Sequence, residues 1–450
     1  MAATKTDPPL LSRLAILILA LLPLFILMID VAKYHVDVPF WDQWNFVPLL
    51  GKSYEQRVSF QDLWGQHNEH RLFFPRLIML GLAHASRYNI VWELVVIILL
   101  AAAIFVLLWR QFSRTIKALG YSGFPWAVPV SSLLVFTLGQ AENWLWGWQI
   151  QIFLNVLAAT AGFVLLDSPT FRWGKFWCGL GFGILATYSF ANGLIFWPLG
   201  FLALILIPSG GRRRKTLALT AWAAAAATVA ISYLYRFRYE SPSGKPWTHF
   251  LNHPGDYLQY LLKYLGRPIV NYEEYAMAIG FVGLLLFGTF SFLLFRKKHG
   301  ETQAIRPFFL LGLYSLGCGL LTGVGRIGFG SAQAMSGRYV PFSALIWVSN
   351  FAFLYILSQE IRARIRARPG RIFSLAGIGV LSIVLVFGIA RTSYRVGYRV
   401  FKSYHARMLP ARSELLRGED EQLLLRLYID ADYVRRGTSV LKKHSLSVFR

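Results

Sequence analysis

The chain has 450 residues, of which 55% are hydrophobic and only 15% are charged, and its mean hydropathy is +0.46. This composition excludes a soluble globular protein, because several windows hold the roughly 20 apolar residues that cross a hydrocarbon core of about 30 Å. The net charge of +24 does not indicate nucleic-acid binding, since the basic residues cluster in short segments between apolar runs, as in 212–215, 296–298 and 362–371. That distribution is the positive-inside pattern, with anionic membrane lipids as partners.

The apolar runs predict an all-α polytopic bundle of about eleven transmembrane helices, since the dyad alternation of a membrane β-barrel is missing. The first run is predicted to be an uncleaved span, because no clear small-residue cleavage box follows it. The pair 177–190 and 193–208 is short and predicts either a tight hairpin or a re-entrant pair. The predicted spans are 14–32, 89–109, 126–139, 150–166, 177–190, 193–208, 216–234, 275–295, 307–321, 339–357 and 372–390.

A cytoplasmic N-terminus places the basic clusters inside and predicts an inner-membrane protein with its active site on the extracytoplasmic face. That face receives loop 33–88, turn 140–149, loop 235–274 and turn 322–338. The chain is predicted to divide into a transmembrane domain, 1–390, with a large first loop, and a small, mostly helical C-terminal appendage, 391–450. Eleven spans put this tail outside, although the positive-inside rule alone would draw the basic residues that follow the last span into the cytoplasm: Arg391, Arg395, Arg399 and Lys402.

Loop 33–88 begins with the motif VPFWDQW, in which Asp42 lies between Trp41 and Trp44. A carboxylate beside aromatic rings is partly desolvated, so its basicity rises toward that of a general base. Tryptophans also offer flat apolar faces on which a sugar ring can stack. Asp37, five residues earlier, is the competing acid. The alternative interpretation is an interfacial aromatic belt with Asp42 as a helix cap.

The same loop contains a second polar cluster, His67-Asn68-Glu69-His70-Arg71. Its spacing is not that of HExxH, so a zinc site is not favoured. Glu69 is predicted to orient an acceptor or to bind a divalent cation. His70 and Arg71 are predicted to donate hydrogen bonds to substrate oxygens or phosphate. The alternative is a solvated helix start before the next apolar run.

Three arginines on the extracytoplasmic side run against the inside bias and therefore predict a bound anion. Arg236 lies in loop 235–274, and Arg326 and Arg338 flank a glycine-rich turn that ends at Tyr339. Guanidinium groups suit a lipid phosphate, and glycines let the backbone approach it closely. The alternative is ordinary head-group contact. The tryptophans of turn 140–149 are expected to be interface anchors rather than a ligand platform.

A first helix, a large extracytoplasmic loop with an early acidic motif and many further spans together resemble the GT-C glycosyltransferase superfamily. The motifs VPFWDQW, EHR, SFANGLIFWP (189–198) and SGRY (336–339) are similar to those of uncharacterised bacterial multi-pass proteins grouped with that superfamily. The resemblance implies a polyprenyl-phosphate-linked sugar as donor and a glycan, lipid or protein as acceptor.

The resemblance also implies roles for individual residues. Asp42 would deprotonate the acceptor hydroxyl, Glu69 would assist, and Arg326 or Arg338 would hold the leaving lipid phosphate. Asp37 still competes with Asp42, because the first acidic motif is not an adjacent Asp-Glu pair. No cofactor is assigned, and a divalent-cation requirement stays open.

Two other functions are consistent with parts of the sequence. A lipid-linked saccharide flippase or transporter predicts ionisable residues at mid-membrane and paired broken helices, for which 177–208 is the one candidate pair. An O-antigen ligase or polymerase would use similar substrates but usually has a large late loop, whereas the richest loop here is the first.

Overall fold

The computed structural model describes residues 10–121, 124–207, 211–238, 250–296, 299–365 and 369–450. Within these ranges the main elements are helices joined by short 3-10 turns. One antiparallel hairpin pairs β1 (Gln66–His67) with β2 (His70–Arg71), each of two residues. The helices are α1 (Leu10–Tyr34), α2 (Gln43–Tyr54), α3 (Phe60–Trp64), α4 (Phe73–Ser86), α5 (Ile90–Ala118), α6 (Ala127–Val135), α7 (Ala141–Leu145), α8 (Ile150–Leu166), α9 (Trp173–Thr187), α10 (Phe196–Ile205), α11 (Arg212–Leu234), α12 (Pro254–Gly266), α13 (Glu273–Phe295), α14 (His299–Arg326), α15 (Val340–Arg364), α16 (Arg371–Ala390), α17 (Tyr398–Glu414), α18 (Glu421–Leu424) and α19 (Ala431–Lys443).

Eight helical stretches in the described part of the chain are long and apolar enough to cross a membrane. They contain α1, α5, α8, α11, α13, α14, α15 and α16. This confirms the all-α, multi-pass architecture. The predicted spans 126–139, 177–190 and 193–208 correspond to the shorter helices α6, α9 and α10, of 9, 15 and 10 residues. These fall below the roughly 20 residues of a full span, so the predicted total of eleven crossings stays a prediction.

Two helices form the centre of the bundle. Within the spans that contain α8 and α15, 83% and 94% of the apolar windows are buried. Tyr314 of α14 donates a hydrogen bond of 2.6 Å to Asn155 of α8, and Trp347 of α15 donates one of 2.6 Å to the carbonyl of Leu265. The turns at the N-terminal ends of α8 and α15 therefore lead directly into the two most buried spans of the bundle.

The polar connections separate onto the two ends of the bundle. Loop 33–88 meets the ends of several helices at one end, through its contacts with Glu93, Tyr188 and Tyr233. At the opposite end, Arg306 lies 3.6 Å from Asp167, a carboxyl whose pKa burial raises to about 6 against the lowering effect of Arg306. We call these the loop end and the basic end, because Arg296, Arg364 and Arg371 line a cavity at the latter together with Ile305, the neighbour of Arg306.

The tail lies at the loop end and packs directly on loop 33–88. Helix α16 continues through the π-helical turn Arg391–Gly397 into α17, so the helix is continuous across the predicted domain boundary. Lys443 of α19 lies 2.7 Å from Glu55, and Arg450 forms an ion pair with Asp37. The described tail is helical, and it shares one end of the molecule with the first loop.

Candidate functional site

The turn that carries Asp42 is held from two sides. The backbone N–H of Trp41, a residue with a positive φ of 50°, donates to the carbonyl of Leu427 in the tail at 2.8 Å. The next side chain, Gln43, accepts from the N–H of Phe40 at 3.1 Å and donates to the buried Glu93 at 2.5 Å. Asp42 is therefore placed by the contacts of its chain neighbours, and its own carboxylate does not cap α2.

The hairpin β1–β2 presents Glu69 at its turn and is fastened to the end of α11. Tyr233 donates its hydroxyl to the carbonyl of Glu69 at 2.7 Å. The buried guanidinium of Arg71 donates to the carbonyls of Tyr233 and Tyr235 and, at 3.2 Å, to that of Trp64. These bonds fix where the Glu69 carboxylate can point.

A cavity at the loop end, which we call the site cavity, has an empty volume of about 1080 Å³. Six residues predicted from the sequence line it together: Asp42, Glu69, His70, Arg326, Arg338 and Tyr339. They come from three regions of the chain, which meet because the first loop and the 327–339 turn lie at the same end of the bundle.

The carboxylate of Asp42 has a weak partner. The Nε2 atom of His67 lies 3.6 Å from its Oδ1 atom, and the His67 ring packs edge-on against Trp148. Within the described residues, no lysine or arginine lies within ion-pair distance of Asp42. This carboxylate is therefore not neutralised by a fixed cation and retains its lone pairs for a proton.

Glu69 and Arg326 form an ion pair across the cavity, with Nη2 2.7 Å from Oε2. Both side chains are partly buried, which strengthens the attraction relative to a surface pair. The pair joins the first loop to the end of α14, 257 positions later in the chain. Because each charge already has a partner, Glu69 is better suited to orienting a group than to accepting a proton.

Arg338 has no carboxylate within ion-pair distance among the described residues. Its Nε donates to Ser336 at 3.0 Å, and its guanidinium carbon lies 6.0 Å and 5.9 Å from the ring centroids of Trp146 and Tyr339. The buried Arg267 secures this turn by donating to the carbonyls of Met335 and Gly139, each at 2.7 Å. Arg338 is thus an oriented cation whose positive charge is available to an anionic ligand.

His70 is a neutral hydrogen-bonding group. Its ring stacks on Phe190 with centroids 3.9 Å apart, and its Nδ1 accepts from the N–H of Ala191 at 3.3 Å. Burial lowers the pKa of His70 well below 6.5, and the nearby charges of Arg326, His67 and Arg338 lower it further. Because Nδ1 is the acceptor, the proton resides on Nε2, which can donate to a ligand oxygen.

Three amide side chains that sequence reasoning missed also line the site cavity. Gln149, Gln151 and Asn192 are buried, and one polar atom of each has no hydrogen-bond partner among the residues that the structure describes. Buried polar atoms are usually satisfied, so these amides fit a ligand that has several hydroxyl groups. A signal was present in the sequence, since polar residues at the ends of apolar segments are costly and often functional.

The cavity has an apolar wall near the ends of α11 and α14, formed in part by Leu234, Leu321 and Val324. Leu234 is 58% exposed, so this wall reaches the lateral surface of the bundle. A hydrocarbon chain could enter from the bilayer along it. Trp146 and Trp148 also line the cavity; the expectation that they only anchor the protein at the interface does not account for this position.

Five predicted site residues do not line the site cavity. Asp37 accepts from the N–H of Ile90 at 2.9 Å and pairs with Arg450, so both of its oxygens have structural partners. Trp44 is fully buried against α19. The guanidinium of Arg71 is used by the carbonyls described above, and that of Arg236 lies over the Tyr235 ring. Trp41 lines a neighbouring groove.

No group of three histidine, cysteine, aspartate or glutamate side chains among the described residues could hold a metal ion. The chain matches no protein-family model, no curated protein and no solved structure.

Proposed function

We propose that the protein is a membrane glycosyltransferase that moves a sugar from a polyprenyl-phosphate donor to an extracytoplasmic acceptor. The observation that supports this most strongly is that one cavity holds both an acid and a guanidinium whose charges are not neutralised by a fixed ion pair. Among the described residues, Asp42 has only His67 beside it, at 3.6 Å, and Arg338 has no carboxylate within ion-pair distance. Sugar transfer from a lipid phosphate needs a base and a cationic grip on the departing phosphate.

In the proposed reaction, Asp42 accepts the proton of the acceptor hydroxyl as its oxygen attacks the anomeric carbon. The bond between that carbon and the phosphate oxygen breaks, and the electron pair leaves with the polyprenyl phosphate. Arg338 stabilises the charge on this phosphate through charge-assisted hydrogen bonds. Glu69 and Arg326 orient the substrates, and His70 donates from Nε2 to a sugar or phosphate oxygen.

The lining of the site cavity suits this donor. The amide atoms of Gln149, Gln151 and Asn192 that lack a partner among the described residues can form hydrogen bonds with sugar hydroxyls. The apolar wall that includes Leu234 and Leu321 can contact a polyprenyl chain. The resemblance to GT-C glycosyltransferases supports the same reaction class. Asp42 is preferred over Asp37 as the base because the oxygens of Asp37 already serve Ile90 and Arg450.

A flippase is less well supported by the placement of charges. The ion pair Arg326–Glu69 lies at the loop end, and the pair Arg306–Asp167 lies at the basic end. A carrier would be favoured by ionisable groups near the middle of the spans. The two functions differ in whether the sugar leaves its lipid carrier, and that difference is measurable.

The test compares surface polymers and glycolipids of cells that produce the wild-type protein or the Asp42→Asn variant at equal abundance. General-base catalysis typically contributes about 10²- to 10⁴-fold, so we expect the product to fall by a factor of that order. Asp432→Asn is the matched control, because Asp432 is an exposed acid of α19 that pairs with Arg435. Wild-type product levels in the Asp42→Asn cells would show that Asp42 is not the base.

A further inference from the structure

A second cavity, which we call the tail groove, lies between the first loop and helix α17 and has an empty volume of about 1450 Å³. Its lining includes aromatic and cationic side chains from the first loop, from α17 and from two turns between them in the sequence: Phe40 and Trp41, Arg399 and Arg407, and Trp146 and Arg338. The first loop and the tail each supply part of this surface, so the groove exists only because the tail docks on the loop.

The tail groove and the site cavity share two residues, Trp146 and Arg338. The guanidinium of Arg338 lies 6.0 Å from the Trp146 ring, so one cation and one aromatic ring form a boundary between the two cavities. A molecule in the tail groove would therefore approach a donor in the site cavity across a single side-chain layer. Reacting atoms must come within about 3–3.5 Å of each other, so a saccharide held in the tail groove would reach Asp42 by extending its terminal sugar between Arg338 and Trp146 into the site cavity.

The tail groove carries excess positive charge. Arg338, Arg399 and Arg407 line it together with one acid, Glu142, which accepts a hydrogen bond from Ser336 at 3.1 Å. Within the part of the chain that the structure describes, none of these three arginines has an ion-pair partner. Cations at the loop end run against the positive-inside bias, and unpaired guanidinium groups around one cavity are suited to bind an anion.

The aromatic residues of the groove suggest that the anion is attached to a sugar ring. Trp41 is 37% exposed, and its backbone is fixed by the hydrogen bond to Leu427. Arg407 lies over the Phe40 ring at 5.9 Å. An exposed indole face can stack on the C–H surface of a sugar, while guanidinium groups bind carboxylate or phosphate.

We propose that the tail groove binds the acceptor, and that the acceptor is an anionic saccharide. The proposal rests on the proposed function, which supplies a donor in the adjacent site cavity. The groove lies close to the bilayer, because α17 follows the last apolar helix through the turn Arg391–Gly397. An anionic saccharide could thus reach it either free or attached to a lipid.

The test measures ligand binding to the purified full-length Asp42→Asn protein, in which transfer is blocked. The probes are trigalacturonate for a free anionic saccharide and maltotriose for a neutral one. Dioctanoyl phosphatidylinositol represents a lipid-attached anion with a sugar-like polyol ring, and dioctanoyl phosphatidylglycerol is its equally charged control. Each is measured again in the double substitution Arg399→Gln/Arg407→Gln. The matched control is Arg417→Gln/Lys442→Gln, which removes the same charge from exposed positions of the tail outside the groove lining.

We expect at least one anionic probe to bind, and the groove variant to weaken it about 100-fold, since a hydrogen bond to a charged group typically contributes about tenfold or more. The control should change affinity by less than about twofold at physiological salt, because it removes the same charge without removing a group that lines the groove, and exposed charges outside a site are largely screened. Loss confined to phosphatidylinositol would identify a lipid-attached acceptor, and loss confined to trigalacturonate a free one.

The inference is overturned if neither anionic probe binds, if maltotriose binds as tightly as trigalacturonate, or if the groove and control variants weaken binding equally. Its failure can be distinguished from failure of the proposed function. A wild-type protein that transfers sugar but shows no groove-dependent binding would overturn the inference alone. A wild-type protein that binds the anionic probe in the groove but never transfers sugar would overturn the proposed function.

Discussion

The packing of the tail on the first loop can be tested at Gly437, a residue of α19 that lies against Trp44 of α2. A Cβ atom at position 437 would lie 2.8 Å and 3.0 Å from two carbons of the Trp44 ring, whereas carbon atoms normally approach to about 3.5–4.0 Å. Trp44 is completely buried, so its ring has little room to move. Gly437→Val should therefore push α19 away from α2.

The cost follows from two opposing effects. Inserting extra carbons into a packed core costs about 1–3 kcal/mol, while replacing a helical glycine recovers roughly 0.3 kcal/mol of helix propensity. The net loss of about 1–3 kcal/mol should accelerate hydrogen exchange of the α2 and α19 amides roughly 5- to 150-fold, if exchange follows local opening. These helices lie outside the spans that cross the membrane, so their amides are accessible to the measurement.

Gly81→Val is the matched control, because Gly81 is a helical glycine of the same first loop and a Cβ there would meet no atom within 4 Å. Its exchange rates should change by less than about threefold, in line with the small propensity gain. If Gly437→Val leaves the amides of α2 and α19 as protected as in the wild type, the two helices are not in close contact and the described packing of the tail is wrong.

Three further predictions concern individual side chains. Trp44→Ala should lower the free energy of unfolding by about 3–5 kcal/mol, as for other buried aromatic truncations. Trp41→Ala should cost less than about 1.5 kcal/mol, because Trp41 is partly exposed. Equal losses of free energy in denaturant titrations would contradict this placement. Arg71→Lys should lower the thermal stability measurably, because an ammonium group cannot reach the carbonyls of Tyr233, Tyr235 and Trp64 together. Each lost charged hydrogen bond costs about 1.5 kcal/mol or more. An unchanged melting temperature would show that these bonds do not stabilise the hairpin against α11. The pKa of His70 is lower in the folded state than in the unfolded state, so the unfolded state binds more protons and the stability should fall as the pH drops below about 6.5. His70→Gln should reduce this loss of stability between pH 6.5 and about 5. An unaltered pH profile of stability would contradict the description of His70 as a buried, neutral imidazole.

The order of apolar and polar segments in the sequence predicts that the acidic residues of the first loop and the late arginines lie at the same end of the bundle. Apolar helices that cross the same layer return alternate connections to the same end, so Asp42 and Glu69 in the first loop come near Arg326 and Arg338 late in the chain. The apolar runs also predict the all-α, multi-pass fold, because their composition and length are decided by the bilayer.

Other features depend on tertiary contacts that no local pattern encodes. Trp41 and Trp44 lie in one motif, yet one lines the tail groove and the other is buried, because α19 docks on α2 through Gly437. The structural use of Asp37 depends on Arg450, which is 413 positions away. The predicted segments 126–139 and 193–208 are longer than the helices α6 and α10 that they contain, since apolar turns and 3-10 segments have the same composition as helices.

The central claim is that the protein separates a sugar from its lipid phosphate, and one reconstitution measures this directly. Purified protein in lipid vesicles is supplied with polyprenyl-phosphate-linked sugars radiolabelled in the sugar, together with an extract of envelope glycans as acceptor. We predict that wild-type protein moves the label to the acceptor and releases polyprenyl phosphate, and that Asp42→Asn reduces the rate about 10²-fold or more. Label that moves between the two leaflets while still attached to its polyprenyl phosphate would contradict the proposed function and identify a carrier.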